Sequence, residues 1–408
     1  MAEGIDGAAR QSPAAGRWRW ADGRIGLGYF WFFAAIGSYG PFAAIWFLSL
    51  GLDGAEVGVL VALPALGAAF AGPLWGAAAD ARSRHRIILC GALAVAATAA
   101  LAATRAAGFW PLLLLLGVSA LAAGPIAPLL DAFAVTIGER LGRSYGNLRV
   151  WGSIGYTLAA LLVGRLMGQG GSAAFLVAYA AFLGLTLATA AGLPDLGERT
   201  SRPLLGGLHE LRRNRPFVAL LLVGYLTASG AAIMNGFLGV RLLEIGGTTG
   251  LVGLAIALGA ASEWPVVAFG GWLLARFGAA RLVALAIVVY AVRFVAFATI
   301  PVAAWVLPVQ LLHGLSFGAF LIASVTLAHR LAGPAHAAAA QALLAATSFG
   351  FGSITGSLIG GALLERVGLS GLFLGAAGVM AVALALFAAT QRGFEDELGG
   401  MSGTSAEA

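Results

Sequence analysis

Lysine is missing from this chain, cysteine occurs once, and charged side chains of every kind make up 10% of its 408 residues. Soluble domains carry about 25% charged residues. So low a fraction, with 60% hydrophobic residues and a mean hydropathy of +0.91, excludes a soluble globular class. The lone Cys90 excludes an intramolecular disulfide. It stands in an apolar run without a metal-ligating neighbour and reads as a small packed hydrophobe. All 24 basic residues are arginine, which, with the abundance of alanine and glycine, points to a GC-rich coding sequence as much as to a physical demand. The net charge of +6 does not argue for a nucleic-acid partner, because the arginines cluster at the ends of apolar segments, where they act as topology signals. Gly350 to Gly361 is glycine-rich but has no Lys-Ser/Thr partner, so a phosphate-binding loop is excluded. No nucleophile, base and oxyanion hole assemble, and no cofactor or metal motif is present; the expectation is a protein that is not an enzyme.

What is present is a succession of long apolar segments, at about 24–49, 55–79, 87–105, 109–134, 148–168, 172–193, 216–240, 248–274, 280–300, 302–327, 336–362 and 370–390. At 1.5 Å rise per residue each can cross a hydrocarbon core of about 30 Å, which predicts an all-α integral membrane protein with about twelve transmembrane helices. Residues 1–23 carry Arg10, Arg17 and Arg19 without an apolar centre, so no cleavable signal peptide is expected. Arg82, Arg84 and Arg86; Arg140 and Arg143; Arg199, Arg202, Arg212, Arg213 and Arg215; and Arg276 and Arg281 fall in alternate loops. The intervening loops hold isolated cases such as Arg105, Arg241 and Arg366. Both termini are therefore expected on the cytoplasmic side. The one long polar interval, 194–215, predicts a cytoplasmic linker between a six-helix half over 24–193 and another over 216–391, with cytoplasmic tails at 1–23 and 392–408.

Against this apolar background, Arg149, Glu263, Arg293 and His313 stand out. A charge at the centre of a membrane helix costs roughly 2.5–3.5 kcal/mol on insertion scales, so such groups face protein-lined cavities and mark pathways. Glu263, Arg293 and His313 lie about fifteen, thirteen and eleven residues into their segments, near mid-bilayer. An unpaired charge there is strongly unfavourable, and the expectation is a Glu263–Arg293 ion pair that substrate or proton can rearrange, with His313 beside it. Tyr39 beside Gly40-Pro41, Tyr225, Asn235 and Gln341 are secondary pathway candidates.

Two motifs carry a family resemblance. Gly76 to Arg86 reads GAAADARSRHR, and Gly271 to Arg281 reads GWLLARFGAAR at the corresponding turn of the second half. The first resembles the cytoplasmic loop signature of the major facilitator superfamily in Gly76, Asp80, Arg82, Arg84 and Arg86; Ala81 departs from it, and the second copy has Ala275 in place of the acid. The resemblance implies a gating contact in which Asp80, with Arg82 and Arg84, pairs across the interface between halves. More specifically, Tyr145 to Tyr156, YGNLRVWGSIGY, resembles the opening of the fifth helix in the lactose permease and phenylpropionate-transporter branch. Asp131, eighteen positions before Arg149, fits the acid of that branch. Glu263 in SEWP, Arg293 in YAVR and His313 in HGLSF resemble its eighth-, ninth- and tenth-helix groups. This implies substrate binding by Asp131, Arg149, Tyr156, Glu263, Arg293 and His313.

Ser316 stands three positions after His313, where the lactose permease has the carboxylate used in proton coupling. Proton symport here therefore requires Glu263, Asp131 or His313 as the carrier. The resemblance implies a major facilitator fold working by alternating access, a monomer in the bacterial inner membrane, importing a small organic solute with protons. Aromatic acids suit Arg149 and Arg293; sugars or nucleosides suit Asp131 with Tyr156. The rivals are a drug or metabolite efflux antiporter and a transport-inactive membrane sensor of the same fold.

Overall fold

The computed structural model describes residues 13–168, 173–196 and 208–403, and every regular element among them is helical. Residues 1–12, 197–207 and 404–408, which belong to the expected tails and linker, lie outside the described residues.

Nine described stretches are long and apolar enough to cross a membrane: Trp20–Ser49, Gly54–Arg82, His85–Ala103, Phe109–Leu141, Tyr145–Met167, Arg215–Glu244, Thr249–Ala268, Ala279–Thr299 and Ala303–Thr390. The 17-residue Ala174–Ala190 is apolar as well. The 88-residue stretch is not one rod. Gly333 and Gly368 adopt φ of 67° and 66°, a region open to glycine without a Cβ penalty, and break the helix twice. The apolar segments are numbered below in chain order, with the pieces on either side of these breaks as tenth, eleventh and twelfth.

Local chemistry sets the ends. Asp53 and Glu56 form a reciprocal capping box at the start of the second segment. The fifth, seventh and eighth start at Ser144, Asn214 and Thr248, whose side chains accept from backbone N–H groups of the first turn. The eighth is interrupted at Phe269 and resumes as Gly270–Phe277. Three π-helical turns, Gly67–Ala71, Gly314–Gly318 and Ala346–Gly352, interrupt the second, tenth and eleventh segments; such turns displace the following side chains around the helix axis.

One core cluster joins the first, third, fourth and sixth segments around Tyr29, Leu93, Phe133 and Leu183. A larger one runs from Phe47 and Leu116 through Phe237 to Phe297 and Phe373. The first six segments meet the later ones through glycine. A Cβ on Gly54 or Gly58 would strike the backbone of Gly361, and one on Gly164 that of Thr249 and Gly253. Polar contacts close the same seams: the Gly54 N–H donates to Glu365 Oε1 at 3.2 Å, and Thr249 Oγ1 to the Gly164 carbonyl at 2.8 Å. These crossings lie at the end of the molecule away from the arginine-rich loops. Further along the second and eleventh segments, the contact is a looser edge-on approach of Phe70 to Phe351, 6.2 Å between ring centroids.

Arg241, expected as an isolated loop residue, is buried and belongs to a helix end. Its guanidinium donates to the carbonyls of Phe297, Ala298 and Ile300 at 3.0, 3.0 and 3.4 Å and pairs with Glu244. It satisfies the last carbonyls of the ninth segment, which have no helical partners of their own.

Candidate functional site

Two groups of polar side chains stand within the bundle. The first is built where the first and fifth segments cross closely. Gly26 and Gly37 on one, Gly152 and Gly155 on the other, leave room: a Cβ at Gly155 would strike the Phe30 carbonyl, and one at Gly152 the Phe33 ring. Tyr29 and Phe33 lie one turn apart on the first segment, as do Tyr145 and Arg149 on the fifth. Asp131 Oδ1 accepts from both Tyr29 Oη, at 2.6 Å, and Tyr145 Oη, at 2.9 Å. The Arg149 guanidinium lies 4.0 Å from the Phe33 ring centroid and 5.6 Å from that of Tyr29. Asp131 and Arg149 thus flank the same tyrosine without forming an ion pair. Among the described residues no acceptor takes a hydrogen bond from Arg149; its neighbours are π faces, which attract the charge and leave its N–H donors unused.

The second group lies on the eighth, ninth and tenth segments, and here the expected pairing is corrected. Glu263 does not pair with Arg293; its Oε1 meets His313 Nε2 at 3.0 Å. Arg293, fully buried at 0% exposure, donates instead to Ser316 Oγ at 2.7 Å and Gln310 Oε1 at 2.6 Å. Tyr290 and Phe297 cover it, with ring centroids at 5.8 and 5.5 Å. The reason lies in the tenth segment. Gln310, His313 and Ser316 recur every three residues, so neutral oxygens face the ninth segment where the guanidinium arrives. The π-helical turn begins just after His313 and is held by the Gly314 N–H donating to Ser262 Oγ at 2.9 Å.

The network is continuous. Gln310 Nε2 donates to the Ala255 carbonyl at 3.2 Å, and Ser316 Oγ, while accepting from Arg293, donates to the His313 carbonyl at 3.1 Å. The His313 ring stacks on Phe317 at 5.5 Å and 7°. Glu263 and His313 side chains retain 27% and 17% exposure, whereas Arg293 has none. Tyr156 lies on the fifth segment two turns beyond Arg149, where its backbone packs against Gly37 of the first segment.

The remaining candidates scatter. Asp80 meets the buried His85 at 2.9 Å within its own loop, a partner the arginine count did not suggest, while Arg82 and Arg84 are exposed. Tyr39 packs between Phe175 and Tyr179 in the core and does not line an open path. Tyr225 is half-buried, Asn235 is exposed, and Gln341 donates to the Val325 carbonyl at 2.9 Å. Tyr29, Phe33, Gln310 and His85 were not singled out from the sequence. The three-residue repeat through His313 was the available signal for Gln310, and nothing local marked Tyr29 or Phe33 among so many apolar and aromatic neighbours.

Residues 24–375 match the model of the MFS_1 like family. The maltose permease of Geobacillus stearothermophilus is 32% identical over 354 residues, covering 85% of this chain and 89% of that protein. The "Probable 3-phenylpropionic acid transporter" of Escherichia coli is 26% identical over 305 residues, covering 71% and 77%. The crystal structure of the nucleoside transporter NupG superposes with a TM-score of 0.81 at 20% identity, covering 90% of this chain and 98% of that one.

Proposed function

The chain belongs to the MFS_1 like family and is a multi-pass transporter of the bacterial inner membrane, and on that premise we propose that it moves a small organic solute by alternating access. The cargo is held between Arg149 and Tyr156 on one side and the Glu263–His313 pair on the other. The observation that carries this reading is the state of Arg149: a guanidinium set against two aromatic rings, with no described acceptor for its N–H groups. Oxygen atoms of a bound solute supply what the protein does not.

Its relatives narrow the cargo. They are named for maltose, 3-phenylpropionic acid and nucleosides, solutes that combine a ring with oxygen acceptors. Phe33 beneath Arg149 and Phe317 beneath His313 offer flat apolar faces, so the site favours a ring carrying hydroxyl or carboxylate groups. The chain crosses the membrane twelve times as a monomer of two six-helix halves, 24–193 and 216–391. The linker 194–215 and both termini are cytoplasmic. The glycine crossings at Gly54/Gly361 and Gly164/Gly253 shut the outer end, which corresponds to an inward-facing state.

Transport is coupled to a proton carried by the Glu263–His313 pair. Both members retain some exposure and touch one another, as proton exchange requires. Asp131 Oδ1 is already engaged by two tyrosine hydroxyls and touches no second titratable acid–base partner of the Glu263–His313 kind. Arg293, sealed behind Ser316 and Gln310, acts as a fixed charge that holds the tenth segment in register. The test is uptake of a panel of sugars, aromatic acids and nucleosides into proteoliposomes, with external pH recorded. Alkalinisation accompanying uptake is the expected result; uptake with unchanged pH contradicts the coupling and leaves a uniporter.

A further inference from the structure

Below the Glu263–His313 pair the eighth segment carries Pro265, Phe269, Trp272 and Arg276, at steps of four, three and four residues. This spacing sets the four on one helix face. Where the helix breaks at Phe269, that face and Leu315 of the tenth segment bound a groove of about 490 Å3, lined by Pro265, Val266, Phe269, Trp272, Leu273 and Leu315. Phe269 and Trp272 are 64% and 61% exposed. No charged side chain lines the groove. One turn beyond Trp272 stands Arg276, exposed; its described contact is the Phe277 ring at 6.0 Å. Arg281, exposed at the start of the ninth segment, stands near the same end of the bundle. Neither arginine forms an ion pair with a described acid. The loop copy to which both belong has Ala275 where the first copy has Asp80, so the loop offers them no acid at that position.

An exposed apolar groove on a membrane-spanning segment, with a tryptophan in its lining and an unpaired arginine one turn further on, matches one kind of ligand along its whole length. We propose that it is a binding site for an anionic phospholipid. One acyl chain lies between Pro265 and Leu315, and the headgroup phosphate rests on Arg276 with Arg281 nearby. A free anion engages the arginines and leaves the groove unfilled; a zwitterionic lipid fills the groove but its own cation offsets its phosphate; an anionic lipid fills the groove and brings an uncompensated phosphate to the arginines. The site adjoins the proposed coupling pair, since Pro265 follows Glu263 by two residues and Leu315 follows His313 by two. A chain seated there supports the break in the eighth segment and steadies that pair.

Native mass spectrometry of the purified protein, titrated with palmitoyl-oleoyl phosphatidylglycerol or phosphatidylcholine, tests the site without reference to transport. The wild type should retain one phosphatidylglycerol in preference to phosphatidylcholine. Arg276→Gln, an exposed position, should weaken phosphatidylglycerol about fivefold, the ratio for about 1 kcal/mol per juxtamembrane arginine, and weaken phosphatidylcholine less. Trp272→Ala should weaken both lipids. Equal retention of the two lipids by the wild type, or unaltered phosphatidylglycerol affinity in the Arg276→Gln/Arg281→Gln double variant, overturns the proposal. Displacement of the lipid by inorganic phosphate at equal concentration overturns the role of the groove.

Discussion

Arg149 and Arg293 are the same chemical group in opposite circumstances, and the difference separates binding from architecture. Arg293 is enclosed by two hydrogen bonds to neutral oxygens and two aromatic rings. Gln310→Leu removes one of the two acceptors of the buried Arg293 guanidinium. A buried group stripped of its partner costs about 1–3 kcal/mol, more when charged, so this variant should lose thermal stability, read by unfolding in detergent. Arg149→Ala strips no described protein group of a partner. It should leave the unfolding temperature within error while weakening solute binding at least tenfold, measured by ligand-induced thermal shift. A stability loss as large as that of Gln310→Leu would mean that Arg149 is structural. The sequence made both arginines visible as charges in apolar segments, yet not which carboxylate, if any, each would meet. Ser316 was read as the loss of an acid, when in the folded chain its hydroxyl is the acceptor that leaves Arg293 without need of one. Pairing across helices depends on rotation about each helix axis, and the turn after His313 changes that rotation in a way that residue spacing alone does not reveal.

Segments and their contacts tell a similar story. Apolar length located the helices well, because it is a local property; the caps Asp53 with Glu56, Asn214 and Thr248 stand at starts that the polarity shift already marked. The breaks at Gly333 and Gly368 separate the tenth, eleventh and twelfth segments close to the expected limits. Glycine was too abundant to rank by sequence, so the role of Gly361 emerges only from its neighbours. A Cβ there would collide with the Gly54 carbonyl and the Gly58 backbone, and a valine cannot be relieved by rotating a flexible side chain. Gly361→Val should therefore part the outer seam and shift the population toward an outward-open form. Maleimide labelling of a cysteine introduced at Ser357 in a Cys90→Ser background should quicken by an order of magnitude or more; an unchanged rate would show that this crossing does not close the outer end. Arg241→Met makes the contrasting case. It releases three carbonyls at the end of the ninth segment, and with charged hydrogen bonds worth roughly 1.5–3 kcal/mol each it should lower the unfolding temperature and leave solute affinity unaltered in the folded fraction.

For the molecule as a whole, the arrangement explains how a chain with so few charges can still carry out vectorial work. The bundle is held together mainly by apolar packing and close glycine contacts, which contribute little that is specific to either face. The polar groups are gathered at two places: Asp131, Tyr29, Tyr145 and Arg149 on the early segments, Glu263, His313, Gln310 and Arg293 on the later ones. Opening the outer seams would admit a solute, closing them would bring the unused donors of Arg149 and the exposed Glu263–His313 pair onto one cargo, and opening the inner end would release it. The central claim is that both groups act on the same solute. Accumulation in proteoliposomes under an inside-alkaline gradient, run with maltose, 3-phenylpropionate and nucleosides on the wild type, Arg149→Ala and Glu263→Gln, tests it most directly. The account predicts that the wild type concentrates at least one of these solutes, that Arg149→Ala loses uptake through weakened binding, and that Glu263→Gln still exchanges the solute but no longer concentrates it. Accumulation undiminished in both variants, or no movement of any solute by a protein that remains folded, would contradict it.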